Sequence, residues 1–235
     1  MKNNISFQLT GRYALFTDPI TKIGGEKCSY HIPTYEAIKG VLKSIYWKPT
    51  LIWYVDRIRV MKTIRTQTKG TKPLKWGGGN DLAIYTFLHD VAYQVEAHFE
   101  WNEHRPELAE DRIDGKHYAI AKRMLEKGGR QDIFLGVRDC QGYIEPCAFG
   151  ENKGDYDDPT HELGFGLMFH SFDYPDETGS DELHGNFWQP VMKNGVIDFI
   201  RPQACSYRRF IRKMEPKQFL LNENIKAVAR EEETL

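Results

Sequence analysis

Two segments with helical spacing interrupt a chain that otherwise has the alternating pattern of β-strands, and this order most constrains the fold. In the first segment Thr34 is a predicted N-cap, and apolar residues follow at i, i+4, i+7 and i+8 spacing. Pro49 disfavours helix at the residue before it, so this helix should end near Tyr46–Lys48. The second segment runs from Lys116 to Lys127, and Gly128-Gly129 suits a left-handed C-cap.

The strand patterns before and after these helices predict an α+β fold with a ferredoxin-like (RRM-like) core. Alternation predicts a first strand through Ile5 and a second β segment over 51–68. The pattern predicts one hairpin formed by LAIYTFL and AYQVEAHFEW. It predicts a second hairpin formed by IFLGVRD and YIEPCAF, with its turn at Gln141-Gly142. The resulting order is β-α-β-β-α-β, the ferredoxin-like arrangement.

The chain after residue 150 has a different pattern. An acidic, glycine-containing segment leads to FGLMFHSF, and NFWQPVM and VIDFIRP flank a Lys193-Asn194-Gly195 turn. We therefore predict two units. Residues 1–150 would form a ferredoxin-like RNA-binding and catalytic domain, and 151–235 a small antiparallel β-rich region with a C-terminal tail.

Charge is distributed unevenly along the chain, although the net charge is only −1. Residues 1–80 hold 14 Lys and Arg against 4 Asp and Glu, and residues 81–200 hold 10 against 24. Clustered cations bind phosphate backbones, so the basic first third predicts a nucleic-acid-binding surface. A basic solvated face without a ligand is the alternative.

The candidate RNA-binding residues lie in three basic stretches of this first third. One stretch is a polar loop, one is the charged face of the 51–68 segment, and one is the loop KGTKPLKWGGGN, whose tryptophan could stack on a base. The candidates are Lys22, Lys27, Arg57, Arg59, Arg65, Lys69, Lys72, Lys75 and Trp76.

The four cysteines, Cys28, Cys140, Cys147 and Cys205, form no CxxC pair, so a zinc knuckle is not expected. The N-terminus lacks the features of an export signal. No apolar run approaches the ~18 residues of a membrane span, and mean hydropathy is −0.57. We expect a cytoplasmic protein with reduced thiols.

The predicted topology places three reactive side chains together. In a ferredoxin-like fold the C-terminal end of the first helix lies beside the N-terminal end of the second, so Tyr46 would meet Lys116 and His117. RNA can be cleaved without a metal, because its 2′-hydroxyl can attack the adjacent phosphate. Such a reaction requires proton transfer and a cation to stabilise the phosphorane.

The residue types suit those roles. His117 is the natural proton carrier, since an unperturbed imidazole titrates near neutral pH. Lys116 would stabilise developing negative charge. Tyr46 would orient or deprotonate the 2′-hydroxyl, or hold the phosphate, and the sequence leaves these alternatives open. Each side chain could also be an ordinary packing or surface residue. We expect no metal and no cofactor.

Two other hypotheses are alternatives to metal-independent cleavage by Tyr46, Lys116 and His117. A metal-dependent nuclease would use the oxygen-rich run Asp155, Asp157, Asp158, His161 and Glu162, although its spacing matches no known site and such loops are usually solvated. A non-catalytic RNA-binding subunit would share the fold without the chemistry.

Several blocks of the sequence carry a family resemblance. The segments SFQLTGRYALFTDP, PTYEAIKGVLKSIYWKP, DGKHYAI and QDIFLGVRDC, with GFGLMFHSFDYP and FWQPVMKNGVIDF further on, cover most of the chain. They resemble the CRISPR-associated protein family five in its subtype I-C (Dvulg) form.

This resemblance implies a pre-crRNA endoribonuclease that binds the CRISPR repeat hairpin and cuts at its 3′ base. It implies metal-independent cleavage that leaves a 2′,3′-cyclic phosphate. The protein would then stay on the crRNA 5′ handle, beside the large and backbone subunits of the type I-C interference complex. The family's processing members use a Tyr, Lys, His set, and Tyr46, Lys116 and His117 occupy those positions here.

Overall fold

The computed structural model describes residues 3–158, 160 and 162–228. The strands are β1 Asn4–Ala14, β2 Leu51–Val60, β3 Thr66–Thr71, β4 Ala83–Trp101, β5 Ile133–Phe134, β6 Gln141–Pro146, β7 Glu162–Gly164, β8 Met168–Asp173, β9 Glu182–Trp188, β10 Val191–Lys193, β11 Val196–Asp198 and β12 Tyr207–Lys213. The helices are α1 Pro19–Lys22, α2 Tyr35–Ile45, α3 Lys116–Glu126 and α4 Pro175–Thr178, with short 3₁₀ turns at Pro106–Asp111 and Pro202–Ala204.

Two antiparallel sheets organise these elements. Eight strands of the large sheet follow the order β5-β6-β1-β4-β2-β11-β10-β7, and β3 pairs with the first half of β4. The small sheet has the order β12-β9-β8. The predicted α+β class, with mostly antiparallel sheets and few helices, is confirmed.

The two long helices form where the sequence predicts them. Thr34 caps α2, because its hydroxyl accepts a hydrogen bond from the Ala37 N–H at 3.1 Å. The helix ends at Ile45, and Tyr46 is already extended with φ −160°. Beyond α3, Gly129 has φ +108°, a left-handed conformation that glycine adopts without steric cost.

The predicted hairpin of LAIYTFL and AYQVEAHFEW is wrong, because both segments belong to the single strand β4. Its first half pairs with β3 and its second half with β1 and β2. Between the halves Asp90 has φ +53°. A left-handed residue inside a strand interrupts the side-chain alternation, so one bent strand resembles two in the sequence.

The second predicted hairpin exists, but its turn lies earlier than expected. β5 pairs with β6, with Ile133 opposite Gly142 and Phe134 opposite Gln141. Gln141 and Gly142 therefore belong to a strand, and the chain reverses over residues 135–140.

The chain after residue 150 contributes to both sheets. β7, β10 and β11 extend the large sheet beyond β2, and β8, β9 and β12 form the small sheet. The predicted turn between β10 and β11 is present, with Asn194 at φ +50° and Gly195 at φ +75°. Hydrogen bonds between β11 and β2 thus join the later part of the chain to the earlier part.

The small sheet is held against α2 by an aromatic stack and a buried ion pair. His170 stacks on Tyr35 with ring centroids 4.4 Å apart, and burial lowers the pKa of His170 to about 4, so its ring is neutral. Lys39 of α2 bonds to Glu177 of α4. Burial would raise the pKa of Glu177, but the charges of Lys39 and Lys43 outweigh it and lower the pKa.

The cysteines at 28, 140, 147 and 205 are free thiols. Among the described residues, no helix is long and apolar enough to cross a membrane.

We predict that Gly136→Ala destabilises the fold. Gly136 has φ +93°, and a Cβ there would lie 2.1 Å from the carbonyl oxygen of Leu15. The strained conformation and the clash together should lower the free energy of unfolding by about 2 kcal/mol or more. Gly40→Ala is the control: a Cβ at this exposed α2 position meets nothing within 4 Å, and stability should rise by about 1 kcal/mol. Urea denaturation of both variants tests this, and equal stabilities would contradict it.

Candidate active site

The end of α2 and the start of α3 bring Tyr46 and His117 into contact. Tyr46 is the C-cap residue of α2, and His117 is the second residue of α3. The phenol oxygen Oη of Tyr46 lies 2.9 Å from Nδ1 of His117. Two side chains 71 residues apart in sequence thus form one hydrogen-bonded pair.

The hydrogen bonds of His117 fix its tautomer. Its Nε2 lies 2.5 Å from the main-chain carbonyl oxygen of Asp111. A carbonyl oxygen only accepts hydrogen bonds, so Nε2 carries the proton. The Nδ1 of a neutral imidazole is then an acceptor, and it takes the hydrogen bond that the Tyr46 hydroxyl donates.

Aromatic rings hold the pair in place. The indole Nε1 of Trp53 donates to the main-chain oxygen of Tyr46 at 2.7 Å. The ring of Trp101 meets that of His117 edge to face, with centroids 5.3 Å apart. These contacts come from β2 and β4, so the centre of the large sheet positions both side chains.

The carboxylate of Asp111 anchors the turn that carries the carbonyl acceptor. It is fully buried. It accepts hydrogen bonds from the hydroxyl of Thr50 and from the main-chain N–H of Val228, each at 2.5 Å. The second of these bonds brings the end of the described chain onto the site.

The C-terminal segment, residues 220–228, packs beside the site. Val228 is fully buried, and Nζ of Lys48 donates to the main-chain oxygen of Lys226 at 2.7 Å. Tyr46 is 2% exposed and His117 0% exposed. A substrate can therefore touch the two side chains only when part of the structure around them moves.

Lys116 begins α3 directly before His117 and is half-buried. Gly115 precedes it as the N-cap, with φ +76°. This left-handed glycine turns the chain sharply from the preceding loop into the helix.

The hydrogen bond between Tyr46 and His117 can serve both the stability of the fold and a proton transfer. A buried Tyr–His hydrogen bond joins α2 to α3 and stabilises the fold. The same bond is a proton path, because the phenol can give its proton to Nδ1 while its oxygen takes a proton from a substrate hydroxyl.

Four of the predicted RNA-binding residues lie on a projecting hairpin formed by β3, the first half of β4 and the loop between them. Lys69 lies on β3, with Nζ 3.2 Å from the ring centroid of Tyr13. Lys72, Lys75 and Trp76 lie in the loop, where Trp76 is fully exposed. The hairpin thus presents cations and a free indole together.

The predicted arginines have different surroundings. Arg59 is 6% exposed, and its guanidinium donates to Gln94, to Asp157 and to two main-chain oxygens. Arg57 pairs with Glu96 at 2.9 Å and is partly exposed. Arg65 is exposed, just before β3. Arg59 is therefore occupied within the protein, and we leave it out of the binding surface proposed below.

Lys22 and Lys27 lie apart from the hairpin tip, on the segment that includes α1. Both line a cavity of about 540 Å³ against the small sheet. The predicted RNA-binding residues thus fall into more than one cluster.

The acidic run considered for a metal has its carboxylates bonded within the protein. Asp155 accepts from the N–H and hydroxyl of Thr63, and Asp157 pairs with Arg59. His161 lies outside the described residues. Within the part of the chain that the structure describes, no group of three or more His, Cys, Asp or Glu side chains is placed to hold a metal ion.

Sequence patterns did not reveal Asp111 or Trp101 as parts of this site. Asp111 contacts His117 through its main-chain oxygen, which any residue type would supply, and its carboxylate bonds to Thr50 and Val228, which are distant in the sequence. Trp101 looks like the end of a strand. Only the approach of β4 to α3 makes it a neighbour of His117.

A protein-family model identifies the family of this chain. The family model described as CRISPR-associated protein (Cas_Cas5), in its Cas5d form, matches residues 4–200. The chain belongs to the Cas5d family. The match includes Tyr46, Lys116 and His117.

Two relatives named Cas5d support this assignment, and the similarity covers most of each chain. A protein of Mannheimia succiniciproducens named CRISPR pre-crRNA endoribonuclease Cas5d is 30% identical, with 84% of this chain and 95% of that protein covered. A Thermus thermophilus protein of the same name is 29% identical, covering 76% and 77%.

Two solved structures share the fold. One, described as a CRISPR-associated protein, superposes with a TM-score of 0.75 and 33% identity, covering 88% of this chain and 96% of that chain. The other, a functionally uncharacterized protein from Streptococcus mutans, gives a TM-score of 0.73 and 35% identity, with the same coverage.

We predict that Tyr46→Phe lowers stability, because it removes the hydrogen bond that the hydroxyl donates to the buried Nδ1 of His117. The expected loss in the free energy of unfolding is about 1–3 kcal/mol. Tyr35→Phe is the matched control, since the buried hydroxyl of Tyr35 has no hydrogen-bond partner within the described residues, and its removal should cost little. Chemical denaturation measures both. Equal effects would mean that the hydroxyl of Tyr46 contributes no specific bond.

Proposed function

We propose that this chain is a metal-independent endoribonuclease that binds the CRISPR repeat hairpin and cleaves pre-crRNA at its 3′ base. The observation that carries this is the hydrogen bond between Tyr46 and His117 at the junction of α2 and α3, in a chain of the Cas5d family. The relatives named as pre-crRNA endoribonucleases support the reaction class.

In the proposed reaction the 2′ oxygen attacks the adjacent phosphorus, and the bond from phosphorus to the 5′ oxygen breaks. The 2′ proton passes to Tyr46 as the phenol gives its own proton to Nδ1 of His117. The reverse transfer protonates the leaving 5′ oxygen. Lys116, at the start of α3, stabilises the phosphorane charge. The products are a 2′,3′-cyclic phosphate and a 5′-hydroxyl.

The hydrogen bond from His117 Nε2 to the Asp111 carbonyl favours this direction of transfer. It holds the ring with Nδ1 facing the phenol, and a second proton on the ring strengthens that bond. The main chain therefore orients the imidazole and supports its charged form during the reaction.

Binding would use the projecting hairpin and its neighbours. Lys69, Lys72 and Lys75 would contact phosphates, and the exposed Trp76 would stack on a base. We further propose that the strand order β6-β1-β4-β2 with α2 and α3 is a ferredoxin-like core. After cleavage the protein would remain on the 5′ handle as a subunit of the type I-C interference complex, in the cytoplasm, with the large and backbone subunits as partners.

A non-catalytic RNA-binding subunit is the second candidate, and the burial of Tyr46 and His117 is the observation that favours it. In a non-catalytic subunit the hydrogen bond between Tyr46 and His117 would only join α2 to α3. Cleavage experiments separate the two functions, whereas binding experiments do not.

We predict that His117→Ala abolishes cleavage of the repeat RNA in EDTA, because it removes the proton acceptor. The single-turnover rate should fall by about 10²–10⁴-fold, while affinity for the hairpin changes little. His31→Ala is the control, since His31 is exposed. Thermal denaturation verifies folding, and Tyr46→Phe, which keeps the ring packing, gives a second test. Normal cleavage by both site variants would refute the proposed site.

A 2′-deoxy nucleotide on the 5′ side of the cut should block the reaction, because the attacking oxygen is missing. Gel analysis of the substituted repeat RNA, with end-group analysis of the normal product, measures this. Cleavage of the deoxy substrate that depends on added Mg²⁺ would instead support the metal-dependent nuclease.

The bond between Val228 and Asp111 beside the site leads to a further prediction. A chain ending at Asn224 lacks the main-chain contacts of Lys226 and Val228, so the structure around His117 should open more readily to RNA. If the open state is about 10% populated in the full chain, cleavage should accelerate by up to about ten-fold. Single-turnover kinetics measures this. A folded but inactive truncated chain would show instead that the segment is part of the site.

A further inference from the structure

The outer face of the small sheet carries an aromatic cavity that the cleavage site does not use. Phe169 and Phe172 of β8, with Gly185 and Phe187 of β9, form its inner wall, and the segment containing α1 covers it. We call this cavity the phenylalanine pocket. At about 540 Å³ it is within the size range of pockets that hold small ligands.

The rings of the pocket point in different directions and are half-buried. Phe169 and Phe172 have centroids 4.7 Å apart and are tilted by 53°. Phe169 and Phe187 meet edge to face at 5.7 Å. The opposite face of the same sheet, with His170 and Trp188, already packs against the body of the protein, so these phenylalanines are not needed for that contact.

Cations surround this apolar wall. Lys22 and Lys27 line the pocket from the covering segment, and Arg209 lines it from β12. Among the described residues no Asp or Glu lines it, and none of the three cations is in an ion pair. Of the three cations, Lys27 contacts an aromatic ring outside the pocket: its Nζ lies 5.0 Å from the ring centroid of Tyr85. Uncompensated positive charge around an apolar wall is complementary to an anion with a flat apolar part.

Gly185 keeps the wall open. A Cβ at this position would lie 3.5 Å from Ile211, 3.7 Å from Phe169 and 3.8 Å from Phe187. Glycine weakens a strand interior and often marks a close approach by a ligand. A larger side chain here would occupy the space between the rings.

The pocket lies near the opposite end of α2 from the proposed cleavage site. The main-chain N–H of Phe172 donates to Glu36 in the first turn of α2, at 3.2 Å, whereas Tyr46 is at the last turn. Eleven helical residues span roughly 16 Å, which corresponds to several stacked nucleotides at roughly 3.4 Å each.

We propose that the phenylalanine pocket binds the base of an unpaired nucleotide of the RNA, with neighbouring phosphates on Lys22, Lys27 and Arg209. Aromatic rings combined with a ring of cations are the usual means of holding single-stranded nucleic acid. An apolar protein side chain would use the rings but leave the three cations without partners. This inference rests on the proposed function, because it requires that the chain bind RNA.

The test compares substitutions inside and outside the pocket in the full chain. The probe is the repeat RNA with a 2′-deoxy nucleotide at the mapped cut, so that it stays intact. Phe187→Leu keeps an apolar side chain but removes the stacking surface, and Gly185→Leu fills the cavity. Phe210→Leu is the matched control, since Phe210 lies on the opposite face of β12 and is 56% exposed.

Both pocket variants should bind the RNA about ten-fold more weakly in fluorescence anisotropy, and Phe210→Leu should bind as the unsubstituted chain does. Lys22→Ala and Lys27→Ala should each reduce the slope of log Kd against log salt by about 0.7. RNA with 4-thiouridine at unpaired positions should crosslink to the β8–β9 peptides.

The outcomes separate this proposal from the proposed function. Unchanged RNA affinity in both pocket variants would overturn the nucleotide pocket while leaving the cleavage site intact. Loss of association with another protein subunit at unchanged RNA affinity would assign the pocket to protein docking and overturn it equally. If His117→Ala cleaves normally, the cleavage site fails, but weakened binding by the pocket variants would still support the pocket. If the unsubstituted chain binds no RNA, both proposals fail.

Discussion

The hydrogen bonding of β4 is the constraint on which the rest of the structure depends. This 19-residue strand pairs with β1 and β2 in its second half and with β3 in its first half. The second half forms the centre of the large sheet, and the first half extends into the projecting hairpin. Because one strand passes through both, the core determines where the basic hairpin lies.

The same central strands support the junction of α2 and α3. Trp53 of β2 holds the main chain of Tyr46, and Trp101 of β4 packs against His117. These are contacts of the hydrophobic core, yet they fix the orientation of a phenol and an imidazole. The Tyr46–His117 pair therefore depends on the packing of the sheet as much as on the helices that carry it.

Burial holds the Tyr46–His117 pair in one geometry and also limits the access of a substrate to it. A hydrogen bond between Tyr46 and His117 is strengthened by exclusion of water, and the burial of both side chains provides that exclusion. The C-terminal segment also lines a cavity of about 620 Å³, together with Lys43, Trp47 and Arg130. An RNA backbone attracted to these cations would meet the segment first.

The sequence by itself determined the two helices, because caps and helical spacing are local signals. Thr34, Gly128-Gly129 and the spacing of apolar residues sufficed for α2 and α3. Tyr46, Lys116 and His117 were predicted as site residues from helix ends, residue chemistry and the family resemblance. Local signals failed at Asp90, where one left-handed residue made β4 look like a hairpin.

Only the tertiary structure decided which of the candidate residues meet, and how exposed they are. Arg59 and Lys72 have the same charge in the sequence, but one is bonded inside the protein and the other lies at a loop tip. The hydrogen bonds of the Asp111 carboxylate to Thr50 and Val228 and the lining of the phenylalanine pocket all join segments far apart in the chain. Contacts of this kind arise from strand pairing and packing between distant residues, which no local pattern of side chains records.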